Sequence, residues 1–355
     1  MRGGEKVVEA LCEIFPTAEI YTLFHVPGSV SAVIEDRTIH TSFLQQFPFA
    51  KSHYRYYLPL FPSAIGRLLP EGYDLVFSSH HSVAKGVRTG RNTLHLCYCH
   101  TPMRYIWDLF DEYFAPGRSG FITRTGARLF RGYLQRWDKQ TAGNPQLYIA
   151  NSENIRRRIR ATYNRDSVVI YPPVDTGSFS VSREQRGYFL VAGALVPYKR
   201  VDVAVQAFNA SQHRLVIAGD GPERGRLEKI AGQNIEFRGQ VSDAALRDLY
   251  AGCRALVFPG EEDFGIIPVE AMASGKPVIA YARGGTLETV LDGVTGILFR
   301  EQTPEGILLA MDSFEKTRFD PDRLREHAQR FDRKVFVTKM TRLIDSQWQE
   351  FLSAK

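Results

Sequence analysis

The stretch from Phe258 to Lys276 reads Phe-Pro-Gly-Glu-Glu-Asp-Phe-Gly-Ile-Ile-Pro-Val-Glu-Ala-Met-Ala-Ser-Gly-Lys and admits few folds. Leu256, Val257 and Phe258 end an apolar run of strand type, and Pro259 and Gly260 break it. Pro268 then falls where a first helical turn tolerates a missing N–H. The reading is strand, acidic loop, helix, a unit of an alternating α/β sheet. Glu262 lies in the loop and Glu270 in the helix's first turn, while Gly265, Ile266 and Ile267 offer backbone N–H groups at a positive helix end. Two carboxylates beside such groups suit the hydroxyls of a sugar and a ribose, and the helix end with nearby cations suits a phosphate. The same residues, taken alone, also describe an acid that complements a helix dipole next to a solvated acidic turn.

A chain of 355 residues has room for two domains, and 44% hydrophobic with 24% charged residues excludes disordered and fibrous classes. The net charge of +6 fits an anionic partner without demanding one. No apolar run approaches the roughly 20 residues that span a bilayer, and Met-Arg-Gly-Gly-Glu-Lys lacks a signal-peptide core, so the expectation is a cytoplasmic protein, soluble or peripheral on a membrane. Cys12, Cys97, Cys99 and Cys253 contain no Cys-x2-Cys pair and read as reduced, packed thiols.

In the first half, Val7, Val8, Leu11, Ile14 and Phe15 recur at helical intervals behind a glycine-rich entry, Arg2-Gly3-Gly4-Glu5. Ile20–Phe24, Leu75–Ser79 and Thr93–Cys99 read as strands. His100 follows the third directly, at the carboxyl end where open α/β sheets place ligands, with His80 and His81 as competitors at the preceding strand end. Residues 43–69, rich in Phe, Tyr and Pro, read as packing between helices rather than as an acceptor platform. Residues 118–139 set Arg118, Arg124, Arg128, Arg131, Arg136 and Lys139 against one acid, Asp138, among Phe121, Ile122, Leu129, Phe130, Tyr133, Leu134 and Trp137. That pattern fits a basic amphipathic helix on an anionic membrane surface and equally a solvated basic face over a packed one; no nucleic-acid reading module accompanies it. Ser152 is placed to cap a helix over Glu153–Tyr163.

After Pro172-Pro173-Val174-Asp175 a second domain opens with the strand Tyr188–Ala192, then Gly193 and a turn carrying Lys199 and Arg200, a cation pair suited to a diphosphate leaving group. Gly219 ends the strand Leu215–Ala218, Gly239-Gln240-Val241 ends another, and Gly284-Gly285-Thr286 opens a helix whose N–H groups suit a phosphate. The expected domains are 1–175, 176–330, and a helix from 331 to 355 that crosses back to the first.

Glu262 and Glu270 form Glu-x7-Glu, with Phe-Gly-Ile-Ile-Pro inside and Glu-Ala-Met-Ala-Ser-Gly-Lys-Pro-Val-Ile-Ala after. This resembles the donor-site signature of family-four retaining glycosyltransferases. The resemblance implies the GT-B fold: two Rossmann-like, doubly wound α/β domains facing across a cleft. It implies a nucleotide-sugar donor held by Glu262 and the 265–267 backbone at the sugar, Glu270 at the ribose and Lys199 with Arg200 at the diphosphate. Gly219, Gly239, Gln240, Val241, Gly284, Gly285 and Thr286 would surround the nucleotide, His100 would touch the sugar, and Gly3 and Gly4 would form an acceptor-side loop. Tyr-Cys-His-Thr-Pro-Met-Arg-Tyr and Ala-Leu-Val-Pro-Tyr-Lys-Arg look like bacterial mannosyltransferases that use GDP-mannose to build surface polysaccharide such as lipopolysaccharide O-antigen. Neither a cofactor nor a metal is implied, and the acceptor would be a glycan or lipid-linked glycan. The chain departs from the pattern at Ala194, where the family has an arginine that Arg200 would replace, and at its start, where a first strand is expected and none is written. A nucleotide-sugar epimerase and a non-catalytic nucleotide-sugar binder are the competing readings.

Overall fold

The computed structural model describes residues 3–50, 54–108, 110 and 121–354. Residues Met1–Pro172 and Phe336–Lys355 form one compact unit, and Pro173–Val335 form another.

The first unit opens on the helix Gly3–Ile14. Gly3 and Gly4 are therefore helical rather than part of an entry loop, which corrects the sequence expectation. Strand β1 (Ile20–Thr22) pairs in parallel with β2 (Ile39–Thr41). The strands β3 (Leu75–His80), β4 (Leu94–Cys99), β5 (Leu147–Ala150) and β6 (Ser167–Val169) form a separate parallel sheet in that order. Every residue of β4 is buried, as a strand covered on both faces requires. Its side chains meet Val7, Ala10 and Leu11 of the first helix and Phe336, Met340 and Ile344 of the helix Arg333–Ser353. Strand β1 is shorter than its sequence suggests, because Phe24 leaves the strand to pack against Tyr54 and Phe61. Those rings belong to a cluster with Leu44, Ile65 and Leu68, so much of the aromatic segment is core, although Phe49 and Tyr56 face outward and 51–53 lie outside the described residues.

The basic segment forms the helix Phe121–Gln140, with 118–120 outside the described residues. Its inner side is fixed by a buried charge cluster. Asp138 Oδ1 lies 2.9 Å from Lys85 Nζ, both side chains fully enclosed. Tyr163 donates to the same carboxylate at 3.1 Å and Trp107 Nε1 at 2.8 Å. Lys85 Nζ also donates to the Thr141 hydroxyl and the Asp138 carbonyl, so the enclosed charges are hydrogen-bonded as well as paired. Ser152 caps Glu153–Tyr163, its Oγ accepting from the Ile155 N–H at 3.1 Å. All four cysteines are free and buried, and burial pushes the Cys97 thiol up to about 12.

The second unit is one six-stranded parallel sheet built from β7 (Tyr188–Ala192), β8 (Arg214–Ala218), β9 (Ile235–Gly239), β10 (Leu256–Phe258), β11 (Val278–Tyr281) and β12 (Gly296–Phe299). The spatial order is β12-β11-β10-β7-β8-β9. The chain winds from β7 outward to β9, returns to the other side of β7 with β10, and winds outward again. The order thus reverses between β7 and β10, and the crevice beyond the carboxyl ends of those two strands is where doubly wound sheets take ligands. Connecting helices Val201–Asn209, Arg224–Ile230, Asp243–Gly252 and Ile266–Ala273 follow β7, β8, β9 and β10.

The first unit buries His80 and His95 and covers most of His100, all in neutral form. Burial lowers the pKa of His95 to about 4 and of His100 to about 3, and pushes His80 well down. Each titrates near 6.5 once unfolded, so unfolding takes up protons, and the stability these groups contribute is present above about pH 6.5 and lost as pH falls toward the folded values. The thermal midpoint should drop by at least about 5 °C between about pH 7.5 and about pH 5, measured by circular dichroism. A midpoint that stays flat across that window would show that these rings protonate within the fold.

Candidate functional site

Three short loops leave the sheet at the β7/β10 reversal and are locked together by contacts only glycine permits. Gly193 follows β7 with φ +119°, where a side chain would meet Lys199 Nζ and Ile267 Cδ1 at about 3 Å. Gly219 follows β8, and a Cβ there would sit 1.8 Å from the Gly193 carbonyl oxygen. Gly260 follows β10, and a Cβ there would lie 2.7 Å from the Lys199 Cα. The exits are stitched by Gly193 N–H to Ala218 O at 2.9 Å and Gly219 N–H to Gly239 O at 2.8 Å.

These contacts bring two sequence candidates together. Lys199 Nζ lies 2.7 Å from Glu262 Oε1, with both side chains mostly shielded from solvent. Burial works against the Lys199 ammonium, but the Glu262 carboxylate beside it outweighs that effect and holds its pKa above the usual value. A small depression opens over the pair, walled by Gly193, Ala194, Lys199, Pro259, Gly260 and Glu262. Glu262 is held from the other side as well: its carbonyl accepts from the Gly285 N–H at 2.8 Å and it bridges to Gly284. A Cβ at Gly285 would lie 2.3 Å from the Phe264 backbone. The Thr286 side chain is fully buried with its hydroxyl on the Tyr281 and Arg283 carbonyls, so Gly284, Gly285 and Thr286 shape the acidic loop.

Gly265, with φ +89° and no side chain to cap, starts the helix Ile266–Ala273. The N–H groups of Ile266 and Ile267 therefore have no acceptor within that helix. Glu270 is the helix's fifth residue, two residues deeper than the sequence suggested and past the first turn, because the helix starts two residues ahead of Pro268. It is 7% exposed, and Tyr250 donates to its Oε2 at 3.1 Å. Burial and that carboxylate raise the Tyr250 pKa well above its ordinary value.

Arg200 sits in the same turn as Lys199, in left-handed conformation at φ +50°, and its guanidinium turns to Asp202 at 3.3 Å and Gln302 at 3.1 Å. Gln302 in turn donates to the Pro259 carbonyl at 2.8 Å, tying the β12 exit to the β10 exit. Sequence reasoning passed over Gln302 and Tyr250, since nothing local marks a residue that acts from another loop. Gly239 lies at the β9 exit beside Arg224, with Gln240 exposed and Val241 half-buried after it.

In the first unit, His100 Nε2 lies 2.8 Å from Ser79 Oγ, and a Cβ on Gly4 would meet its ring at 3.6 Å. The glycine at the first helix and the histidine at the β4 exit therefore adjoin. Of the competitors, His80 is fully buried and bonded to the Lys85 N–H.

A family model described as Glycosyltransferase Family 4 matches residues 1–178, and one described as Glycosyl transferases group 1 matches residues 178–331. The chain belongs to glycosyltransferase family 4. It is 28% identical over 327 residues to a phosphatidyl-myo-inositol mannosyltransferase of Mycobacterium leprae, covering 81% of this chain and 84% of that one. A GDP-mannose-dependent alpha-mannosyltransferase of Mycolicibacterium smegmatis is 39% identical over 107 residues, 30% of this chain and 28% of the relative. The match to an uncharacterized glycosyltransferase of Methanocaldococcus jannaschii, 30% identical over 174 residues, spans 48% of this chain and about half, 49%, of that relative's length. The structure of sucrose-phosphate synthase from Thermosynechococcus elongatus superposes with a TM-score of 0.71 at 18% identity, covering 99% of this chain and 92% of the other. The fold is that of the GT-B glycosyltransferases, two Rossmann-like α/β domains.

Gly219→Ala should lower stability by on the order of 2 kcal/mol or more, because the methyl meets the Gly193 carbonyl and the backbone is left-handed. A thermal midpoint equal to wild type would contradict this packing. Lys199→Met should cost about 1–3 kcal/mol by leaving the Glu262 carboxylate without its cation, with much of the loss recovered in Lys199→Met/Glu262→Gln. Chemical denaturation measures both, and additive losses would rule out the coupling.

Proposed function

We propose that this chain transfers a mannosyl group from GDP-mannose to a hydroxyl of a glycan or lipid-linked glycan acceptor with retained anomeric configuration, as a step in building a surface polysaccharide. The observation that carries the reading is the Lys199–Glu262 pair at the strand-order reversal, beside the uncapped N-terminus of Ile266–Ala273. The names of the mycobacterial relatives support mannose, and one of them supports GDP.

Cleaving the donor's glycosidic bond leaves a nucleoside diphosphate whose charge must be met as it forms. Lys199, kept protonated by Glu262, meets it, with Arg200 in the same turn as the second cation and the Ile266 and Ile267 N–H groups adding a helix-end dipole. Glu262 orients the sugar hydroxyls as an acceptor-only group, and Glu270, steadied by Tyr250, takes the ribose hydroxyls. Glycines at 193 and 219 let the strand exits pack to backbone contact, which shapes the floor on which phosphate and nucleoside would rest. His100, held neutral, is assigned to a sugar hydroxyl. Retention is assigned to attack from the leaving-group face, with a donor phosphate oxygen taking the acceptor's proton. Protein cations take the role a divalent ion plays in other transferases.

GDP-mannose should raise the thermal midpoint more than UDP- or ADP-sugars do, and Lys199→Ala should lower turnover at least about tenfold. Selective stabilisation by a UDP-sugar would overturn the donor. Conversion of donor to a different nucleotide sugar without acceptor would replace transfer with epimerisation, and turnover abolished by a chelator would overturn the metal-free assignment.

A further inference from the structure

The helix Phe121–Gln140 has one acidic residue, Asp138, and the fold turns it inward onto Lys85, Trp107 and Tyr163. Arg131 and Gln135 also point inward, donating to the Ile106 carbonyl at 2.9 and 2.8 Å, and Leu134 is buried. The inward side thus consumes the carboxylate and leaves the outer face without any negative charge of its own. That face presents Leu129 at 75% exposure and Tyr133 at 39%, one turn apart, with Phe130 at 44% beside them. Arg136 is exposed on the same face by helical spacing, Arg128 and Lys139 are exposed along its edge, and among the described residues neither Arg128 nor Arg136 takes part in an ion pair. Large apolar side chains set between cations on a surface helix are the makeup of an interfacial anchor, whose rings and aliphatic chains enter the headgroup boundary while the cations meet anionic headgroups. No helix among the described residues is long and apolar enough to cross a membrane, so such an anchor would hold the chain on the surface only.

We propose that the outer face of Phe121–Gln140 docks the protein on an anionic lipid surface, with Leu129, Phe130 and Tyr133 inserted and Arg128 and Arg136 on the headgroups. Positive charge and large apolar area together on one face favour a bilayer over a nucleic acid, which would leave Leu129 and Phe130 in water. The docking is independent of the proposed transfer reaction, because none of these residues belongs to the sugar-nucleotide site.

The test is cosedimentation of the full chain with phosphatidylcholine vesicles, with and without phosphatidylglycerol, at low and raised salt. Binding should require phosphatidylglycerol, weaken with salt, and fall at least about tenfold in Arg128→Glu/Arg136→Glu and in Leu129→Gln/Tyr133→Gln. Both double variants alter exposed positions, and circular dichroism checks their folding. The milder Leu129→Trp gives a second readout, a blue shift of the added indole emission on anionic vesicles alone. Equal binding to both vesicle types, binding unaffected by either double variant, or an emission from Leu129→Trp that does not shift would overturn the proposal. So would lipid-free self-association lost with Leu129→Gln/Tyr133→Gln, which would assign the face to a second copy of the chain.

Discussion

A lysine ammonium and a glutamate carboxylate 2.7 Å apart, mostly shielded from water, set the terms for the second unit. Each charge alone would be costly at that depth, so the loops that carry them must arrive in register. Register is enforced sterically. Gly193, Gly219, Gly260 and Gly285 each stand where a Cβ would collide with a neighbouring loop, so the exits of β7, β8 and β10 and the loop after β11 approach to backbone contact. The pair is thereby fixed at the one place in the sheet where the order of strands reverses.

Arg200 shows how the turn tolerates a missing partner. An arginine at φ +50° is strained by on the order of 1 kcal/mol, and the strain is held by the helix Val201–Asn209 that it starts and by its contacts with Asp202 and Gln302. Gln302 passes that contact on to the Pro259 carbonyl, so the β12 exit braces the β10 exit next to Glu262. Ala194 lines the depression beside Lys199 and Glu262.

The sequence was most legible where one period dominates. The apolar runs at 188–192, 215–218 and 256–258 announced a buried parallel sheet because strands covered on both faces are continuously hydrophobic. The Ser152 cap was legible for the same local reason. Glu262 and Lys199 were legible as candidates, but their contact was not, since it depends on strand order, which periodicity does not encode. Glu270 was misplaced by two residues because Pro268 fits any of the first helical positions. Gly3 and Gly4 read as a loop because glycine weakens helices, yet the helix they begin is held by the packing of Val7, Ala10 and Leu11 in the core. The inward turn of Asp138 was invisible for a further reason: its partner Lys85 lies on a distant segment, and only the fold divides a basic helix into a paired side and an unpaired one.

We propose a sugar nucleotide on the loops at 193–200 and 262–267, and every other role proposed for the second unit depends on that placement. Hydrogen–deuterium exchange of the full chain with and without GDP-mannose tests this most directly, because backbone amides at a ligand's phosphate and sugar exchange more slowly once occupied. Slowed exchange is expected in those two segments together, with the effect at 262–267 lost in Lys199→Met. Protection confined to other parts of the chain, or none at saturating donor, would contradict the assignment.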